Sequence, residues 1–328
     1  MSFDLILPFL RPIEPLLRDE EVSEIMGNPN STWFYEREGA LIQDNSVDFG
    51  AARLRTGLEV VANKLGKKFD EDNPLLSAQL PDGSRLAAVI PPVTRNAPGL
   101  IIRKFTSRRY TIEDLIRRGT LTRQLAEFLT EQIQRGQTIL ISGGTGSGKT
   151  TLLNILGQAI PDRDRLVVIE DTAELSFDKP NILPTECQLD THRKPVTFDD
   201  LLKAALRWRP DRIILGEVRG VEARTLLDSF NTGHSGSLAT IHANSAAKAL
   251  RRFANLVLRS HLQATFADVE AEIGDAVDLV IHVEREPGRR VIREVIRLQG
   301  YDRATQKFEI ETVFRAESRS PMEEVKPC

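Results

Sequence analysis

The sequence predicts an α/β chain in two parts. An N-terminal α+β domain covers residues 1–105 and a linker 106–112. A second domain, 113–328, is built on a mostly parallel sheet with a β-rich C-terminal appendage. Three observations predict this. The length, 328 residues, suits about two domains of ordinary size. In the second part, short unbroken apolar runs alternate with helical stretches, the pattern of strands covered on both faces. Between the parts lies the polar, basic stretch Thr106-Ser107-Arg108-Arg109-Tyr110.

The elements follow in order. Residues 1–17 are apolar in patches but carry Asp4, Pro8, Pro12 and Pro15 and no basic leader, so an arm or helix packing on its own domain is expected. A membrane-surface contact is the alternative. No window approaches the ~18 apolar residues of a spanning helix, and a cytoplasmic protein is expected. Ala51 to Lys64 has helical spacing (Leu54, Leu58, Val61, Leu65) and Gly66 as a stop. Leu75 to Leu80, Arg85 to Ile90 and Leu100 to Lys104 read as strands, with Pro81-Asp82-Gly83 as a hairpin turn.

In the second part, helix 121–134 leads to the strand Thr138 to Ser142, then a glycine-rich loop and a helix. Strand 166–169, helix 198–206, strand 212–215, helix 221–230 and strand 237–241 follow. The segments 277–283, 290–298 and 307–314 read as further strands.

Composition narrows the class without naming it. Lys and Arg number 44 against 47 Asp and Glu, a net charge of −3, so no global basic signal points to nucleic acid. Cys187 and Cys328, the only cysteines, make neither a disulfide framework nor zinc-site spacing. A soluble protein of a reducing compartment is expected.

One segment carries chemistry. Gly143-Gly144-Thr145-Gly146-Ser147-Gly148-Lys149-Thr150 fits G-x-x-x-x-G-K-[ST], between an apolar strand and the helix opened by Thr151. Glycines let backbone N–H groups approach phosphate oxygens, and the helix N-terminus adds partial positive charge. Lys149 reaches the β- and γ-phosphates, and the Thr150 hydroxyl completes a Mg²⁺ shell. ATP and Mg²⁺ are therefore the expected ligands.

Hydrolysis needs acidic partners. Ile213-Ile214-Leu215-Gly216-Glu217 is an apolar strand ending in a carboxylate, the geometry that orders Mg²⁺ or its water. Val167-Val168-Ile169-Glu170-Asp171 is a second such strand, with Glu170 as the base that orients or deprotonates water. Ligands of such sheets bind at the carboxyl ends of strands. Downstream, His234 and His242 flank a strand. No cysteine or further histidine lies near enough in sequence to complete a metal shell, so hydrogen-bonding contacts to a γ-phosphate are the better reading.

The order of phosphate loop, Ile169-Glu170-Asp171-Thr172, the stretch 207–219 and the stretch 233–245 resembles the secretion and traffic ATPases of type II and type IV secretion. Their four boxes are Walker A, aspartate, Walker B and histidine. The stretches 21–26 with Asn28, 33–39, and Asp82-Gly83-Ser84-Arg85 resemble their first domain. The resemblance implies a PAS-like N-terminal domain and a RecA-like P-loop domain, with nucleotide between them. It implies that Glu170 activates water, that Glu217 is the Walker B glutamate, and that Arg207 and Arg219 stand near phosphate, one or both acting across a subunit boundary. His234 and His242 match the histidine pair, and Arg85 and Arg103 match arginines that cap the nucleotide.

It further implies a homohexameric ring on the cytoplasmic face of the inner membrane, peripheral to it, with secretion or pilus machinery as partners. The two cysteines argue against the zinc-bearing type II branch. Glu170-Asp171-Thr172 and the compact form look most like conjugative-transfer ATPases of the Trb type, with the Tad-type pilus reading close. The competing class is a nucleic-acid motor on the same core. Arg207-Trp208-Arg209 and Arg251-Arg252 are its only support, without an aromatic-interleaved groove, and no stable nucleic-acid complex is expected. A GTPase finds no guanine-reading motif, since Asn63-Lys64 precedes the loop. A non-hydrolysing scaffold is disfavoured by the two acidic boxes.

Overall fold

The first sheet is built by strands too short to bury a face alone, so they pair through hairpins and pack against a helix. The structure, a computed structural model, describes residues 3–37, 39–105, 110–188, 194–260, 264–286 and 288–316. It divides into two units, Met1–Arg109 and Tyr110–Cys328.

In the first unit, short 3-10 turns and helix α1 (Glu14–Arg18) precede β1 (Val22–Gly27), β2 (Trp33–Arg37) and β3 (Ala40–Asp44). Helix α2 (Ala51–Lys64), β4 (Leu75–Gln79), β5 (Arg85–Val89) and β6 (Gly99–Arg103) follow. The sheet order is β3-β2-β1-β6-β5-β4, antiparallel throughout. The apolar patches of the first 17 residues are core: Ile6, Leu10 and Ile13 are buried with Leu58, Val61 and Ile102. Apolar residues at these positions gain more by packing on the sheet than by facing water.

The second unit opens with α3 (Ile112–Arg117), whose capping box is made by Thr111 and Asp114. Helix α3 was not expected, and it claims the last residues of the expected linker; 106–109 lie outside the described residues. Then come α4 (Arg123–Gln134), β7 (Ile139–Gly143), α5 (Lys149–Gly157), β8 (Leu166–Glu170) and β9 (Ile182–Glu186). Helix α6 (Phe198–Ala205), β10 (Arg212–Val218), α7 (Glu222–Asn231) and β11 (Leu238–His242) continue the alternation. Helices α8 (Ala246–Ser260) and α9 (Phe266–Ala276) precede β12 (Leu279–Glu286), β13 (Arg289–Asp302) and β14 (Lys307–Arg315).

The sheet order is β14-β13-β12-β7-β11-β10-β8-β9. From β12 to β9 neighbours run parallel, whereas β13 and β14 are antiparallel. Alternation splits each central strand between two cores. Leu140, Val167, Ile213 and Ala239 pack under α6 to α9, while Ile139, Ile141, Val168 and Ile214 pack under α4 and α5. Arg212 pins the amino edge: its Nε donates to Asp164 at 2.7 Å and Nη1 to the Ile133 carbonyl at 2.6 Å. Among the described residues no helix is long and apolar enough to cross a membrane.

Candidate functional site

At the carboxyl end of β7 the chain turns into the phosphate loop. Gly146 and Gly148 take φ of +67° and +94°, a left-handed backbone that side chains rarely adopt. Gly143 is fixed by crowding: a Cβ there would overlap the Val283 carbonyl and come within 2.5 Å of Ser147 Oγ. Ser147 Oγ donates to the Gly144 carbonyl at 2.9 Å, closing the loop. Helix α5 begins at Lys149, with Thr150 and Thr151 in its first turn. A cradle of backbone N–H groups at a helix N-terminus suits phosphate.

Lys149 is 7% exposed, its ammonium donating to the carbonyls of Gly143 (3.1 Å) and Gly144 (2.9 Å). Its Nζ also lies 3.4 Å from Nδ1 of His242, the last residue of β11. Nε2 of His242 faces Oε1 of Glu217 at 3.3 Å. Glu217 Oε2 accepts from Arg219 at 2.9 Å, and Arg219 Nη1 donates to Asp171 at 2.7 Å. One line of contacts thus joins the phosphate loop to residues from the other three boxes.

The electrostatics follow from these neighbours. Burial, then the Lys149 charge, lowers the His242 pKa, keeping the ring neutral at pH 7. Hydrogen bonding to Glu217, together with the Asp171 charge, favours the charged form of Arg219 against the cost of burial. Glu217 leaves the regular ladder, because the β10–β11 register shifts between Leu215 and Val218. Glu170 ends the adjacent strand β8, is 4% exposed, and accepts from the backbone N–H groups of Glu174 and Leu175 at 2.9 Å each. Burial raises its pKa to about 7; those two hydrogen bonds oppose the shift, and the charges of Glu174 and Asp171 add to it.

Not every candidate comes to the loop. Arg207, exposed just beyond α6, and His234, before β11, lie at the amino ends of the strands, whereas the loop lies at the carboxyl ends. His234 hydrogen-bonds the Ser229 carbonyl at 3.2 Å. In the first unit, Arg85 on β5 and Arg103 on β6 are register partners, and Arg103 pairs with Glu24 at 3.3 Å.

Two residues at the loop were missed by the sequence reading. Both lie against it: Arg285 on β12, which runs past its expected end at Val283, and Arg290 on β13, at the expected start of that strand. The signal was the Pro-Gly dipeptide between them in the sequence, which marks a turn. Among the described residues no three His, Cys, Asp or Glu converge on a metal ion unaided. The donors available, a threonine hydroxyl and a carboxylate, fit magnesium, which takes much of its shell from phosphate and water.

The profile of the family described as type II/IV secretion system protein matches residues 9–309. The conjugal transfer protein TrbB of Rhizobium radiobacter is 40% identical over 291 residues, covering 87% of this chain and 86% of its own. The type IV secretion system protein VirB11 of Bartonella henselae is 33% identical over 330 residues, covering 89% and 92%. The ATPase DotB of Legionella pneumophila aligns with a TM-score of 0.59 at 20% identity, covering 89% of this chain and 79% of that one, a likeness of fold.

Proposed function

Because the chain belongs to the type II/IV secretion system protein family, we propose that it is an ATPase. It hydrolyses ATP to ADP and phosphate and so powers a type IV secretion or conjugative-transfer machine, or a related pilus assembly. The observation that carries this is the unbroken line Lys149, His242, Glu217, Arg219, Asp171, which sets a phosphate loop against acidic strand ends. The relatives' conjugal transfer and type IV secretion names support the machine.

In this reading the first unit is a PAS-like domain, 1–105, supported by its antiparallel sheet. The second, 113–328, is a RecA-like domain, supported by the single strand β11 between the phosphate-loop strand and the acidic strand β10. Residues 106–112 link them. The loop from Gly143 to Thr151 binds the polyphosphate, and Lys149 balances its charge. Thr150 and Glu217 would hold Mg²⁺, directly or through water, and the ion would neutralise phosphate charge. Glu170 takes the proton of the attacking water, its raised pKa suiting a base near neutral pH. Arg219 fixes Glu217, and His242 joins that carboxylate to Lys149.

Arg207 and His234, far from their own loop, are assigned to a subunit boundary of a homohexamer. Arg85 and Arg103 are assigned to the nucleotide from the first domain. The ring works in the cytoplasm, peripheral to the inner membrane, with inner-membrane machinery as partner.

Phosphate release by wild type, Lys149→Ala and Glu217→Gln tests the activity, with and without single-stranded DNA. Mg²⁺-dependent turnover lost in both variants is expected. Strong stimulation by DNA would overturn the secretion motor in favour of a nucleic-acid motor.

A further inference from the structure

The β12–β13 hairpin pairs Glu286 with Arg289 and Arg285 with Arg290. Alternation along each strand sends these two pairs to opposite faces. On one face charges cancel. Arg289 pairs with Glu286 at 2.6 Å, and Arg293, the extra residue of a register shift, reaches Glu284 at 2.8 Å and also Glu286. On the other face Arg285 and Arg290 are register partners, standing directly opposite each other.

That second face lies on the phosphate loop. Arg290 Nε is 3.3 Å from the Gly146 carbonyl, to which it donates. Arg290 Cδ lies 3.1 Å from where a Cβ on Gly148 would sit, and Arg285 Nη1 lies 3.2 Å from that of Gly146. The loop itself, 143–151, contains no carboxylate. Two guanidinium-bearing side chains of one hairpin therefore lie against the segment suited to a polyanion.

We propose that Arg285 and Arg290 are nucleotide-binding residues, a second cationic wall contacting the polyphosphate from the hairpin side. This rests on the ATPase reading above. A guanidinium fork matches phosphate oxygens in pairs, and a hairpin that already fixes both side chains spends little ordering entropy on binding. The competing role is a brace, in which Arg290 props the Gly146 carbonyl without touching ligand.

The test is titration of a fluorescent ADP into wild type, Lys149→Ala, Arg285→Gln, Arg290→Gln and the double variant Arg285→Lys/Arg290→Lys, at low and high salt, with thermal melts as the folding control. Glutamine keeps the stem and a donor for the Gly146 carbonyl but removes the charge. Contact with phosphate predicts a loss of about tenfold or more in affinity for each glutamine variant at low salt. The loss shrinks at high salt, and the lysine pair recovers part of it. Glutamine variants that bind like wild type, or lose affinity equally at both salts, would overturn the proposal in favour of the brace. If a glutamine variant does not melt cooperatively, the lysine pair decides by its affinity at low salt, a partial loss beside an unchanged melt supporting contact and wild-type affinity refuting it. Failure of wild type to bind, or of Lys149→Ala to weaken binding, would instead sink the ATPase reading.

Discussion

The imidazole Nε2 of His242 stands 3.3 Å from Oε1 of Glu217. Because an ammonium has only donors, Nδ1 must accept from Lys149 at 3.4 Å, which leaves the proton on Nε2, the nitrogen on the side of the carboxylate. A neutral ring in this tautomer joins lysine to glutamate without adding charge. His242→Ala is expected to lower kcat by about tenfold or more while nucleotide affinity stays within a few-fold. Steady-state turnover beside equilibrium binding checks this; equal losses in both would make the histidine a simple binding group.

Glu170 gives a pH dependence with a definite sign. Its native pKa of about 7 lies above the ordinary 4.5, so between those values the folded state binds more protons than the unfolded. Stability contributed by this group therefore falls as pH rises from about 4.5 to 7. The loss is of the order of 3 kcal/mol once both states are ionised. Urea denaturation across that range should show the decline, and Glu170→Gln should flatten it.

The same carboxyl must be ionised to act as a base. Turnover should rise with pH up to about 7 and then level off. Glu170→Gln should bind ATP yet lose about 100-fold or more in kcat, which a pH–rate profile and a binding titration together resolve.

Two neighbouring glycines should respond differently to the same change. A Cβ on Gly143 meets the Val283 carbonyl and Ser147 Oγ, whereas one on Gly144 meets nothing within 4 Å. Gly143→Ala should cost about 1–3 kcal/mol, and Gly144→Ala about 0.5 kcal/mol or less. Thermal denaturation of the two variants without nucleotide is the comparison.

Arg212 is a structural arginine, its side chain 5% exposed beside Asp164. Arg212→Met takes the donor from that carboxylate and one donor from the Ile133 carbonyl, which keeps the Gly136 N–H at 3.1 Å, for about 3 kcal/mol or more. Nucleotide affinity per folded molecule should be unchanged, since the residue sits at the edge of the sheet away from the loop.

What the sequence made legible was what periodicity and local chemistry control. Helix α2 spans the expected residues because Leu54, Leu58 and Val61 make one stripe. The phosphate loop was readable because its glycines serve the backbone itself. No expected element falls between Ile241 and Val277, yet Leu250, Phe253 and Val257 carry the stripe of α8. Strand β9 was hidden by Pro184, which a ladder tolerates at an edge. Arg285 was lost for a different reason: a charged residue after an apolar strand reads as a loop, and only the tertiary fold decides what it faces. By the same logic the box order in sequence does not reveal that Arg207 and His234 lie at the amino ends of the central strands, opposite the end that carries the phosphate loop.

The position of β11 has a consequence for charge. Strands lie ~4.8 Å apart, so β7, which leads into the loop before Lys149, and β10, which carries Glu217, stand ~10 Å apart with one strand between them. Were the two strands neighbours, the ammonium and the carboxylate would meet and quench each other, leaving neither for a visiting anion or its counter-ion. The interposed strand works as an insulating rung, and the one side chain it extends into the gap is an uncharged imidazole.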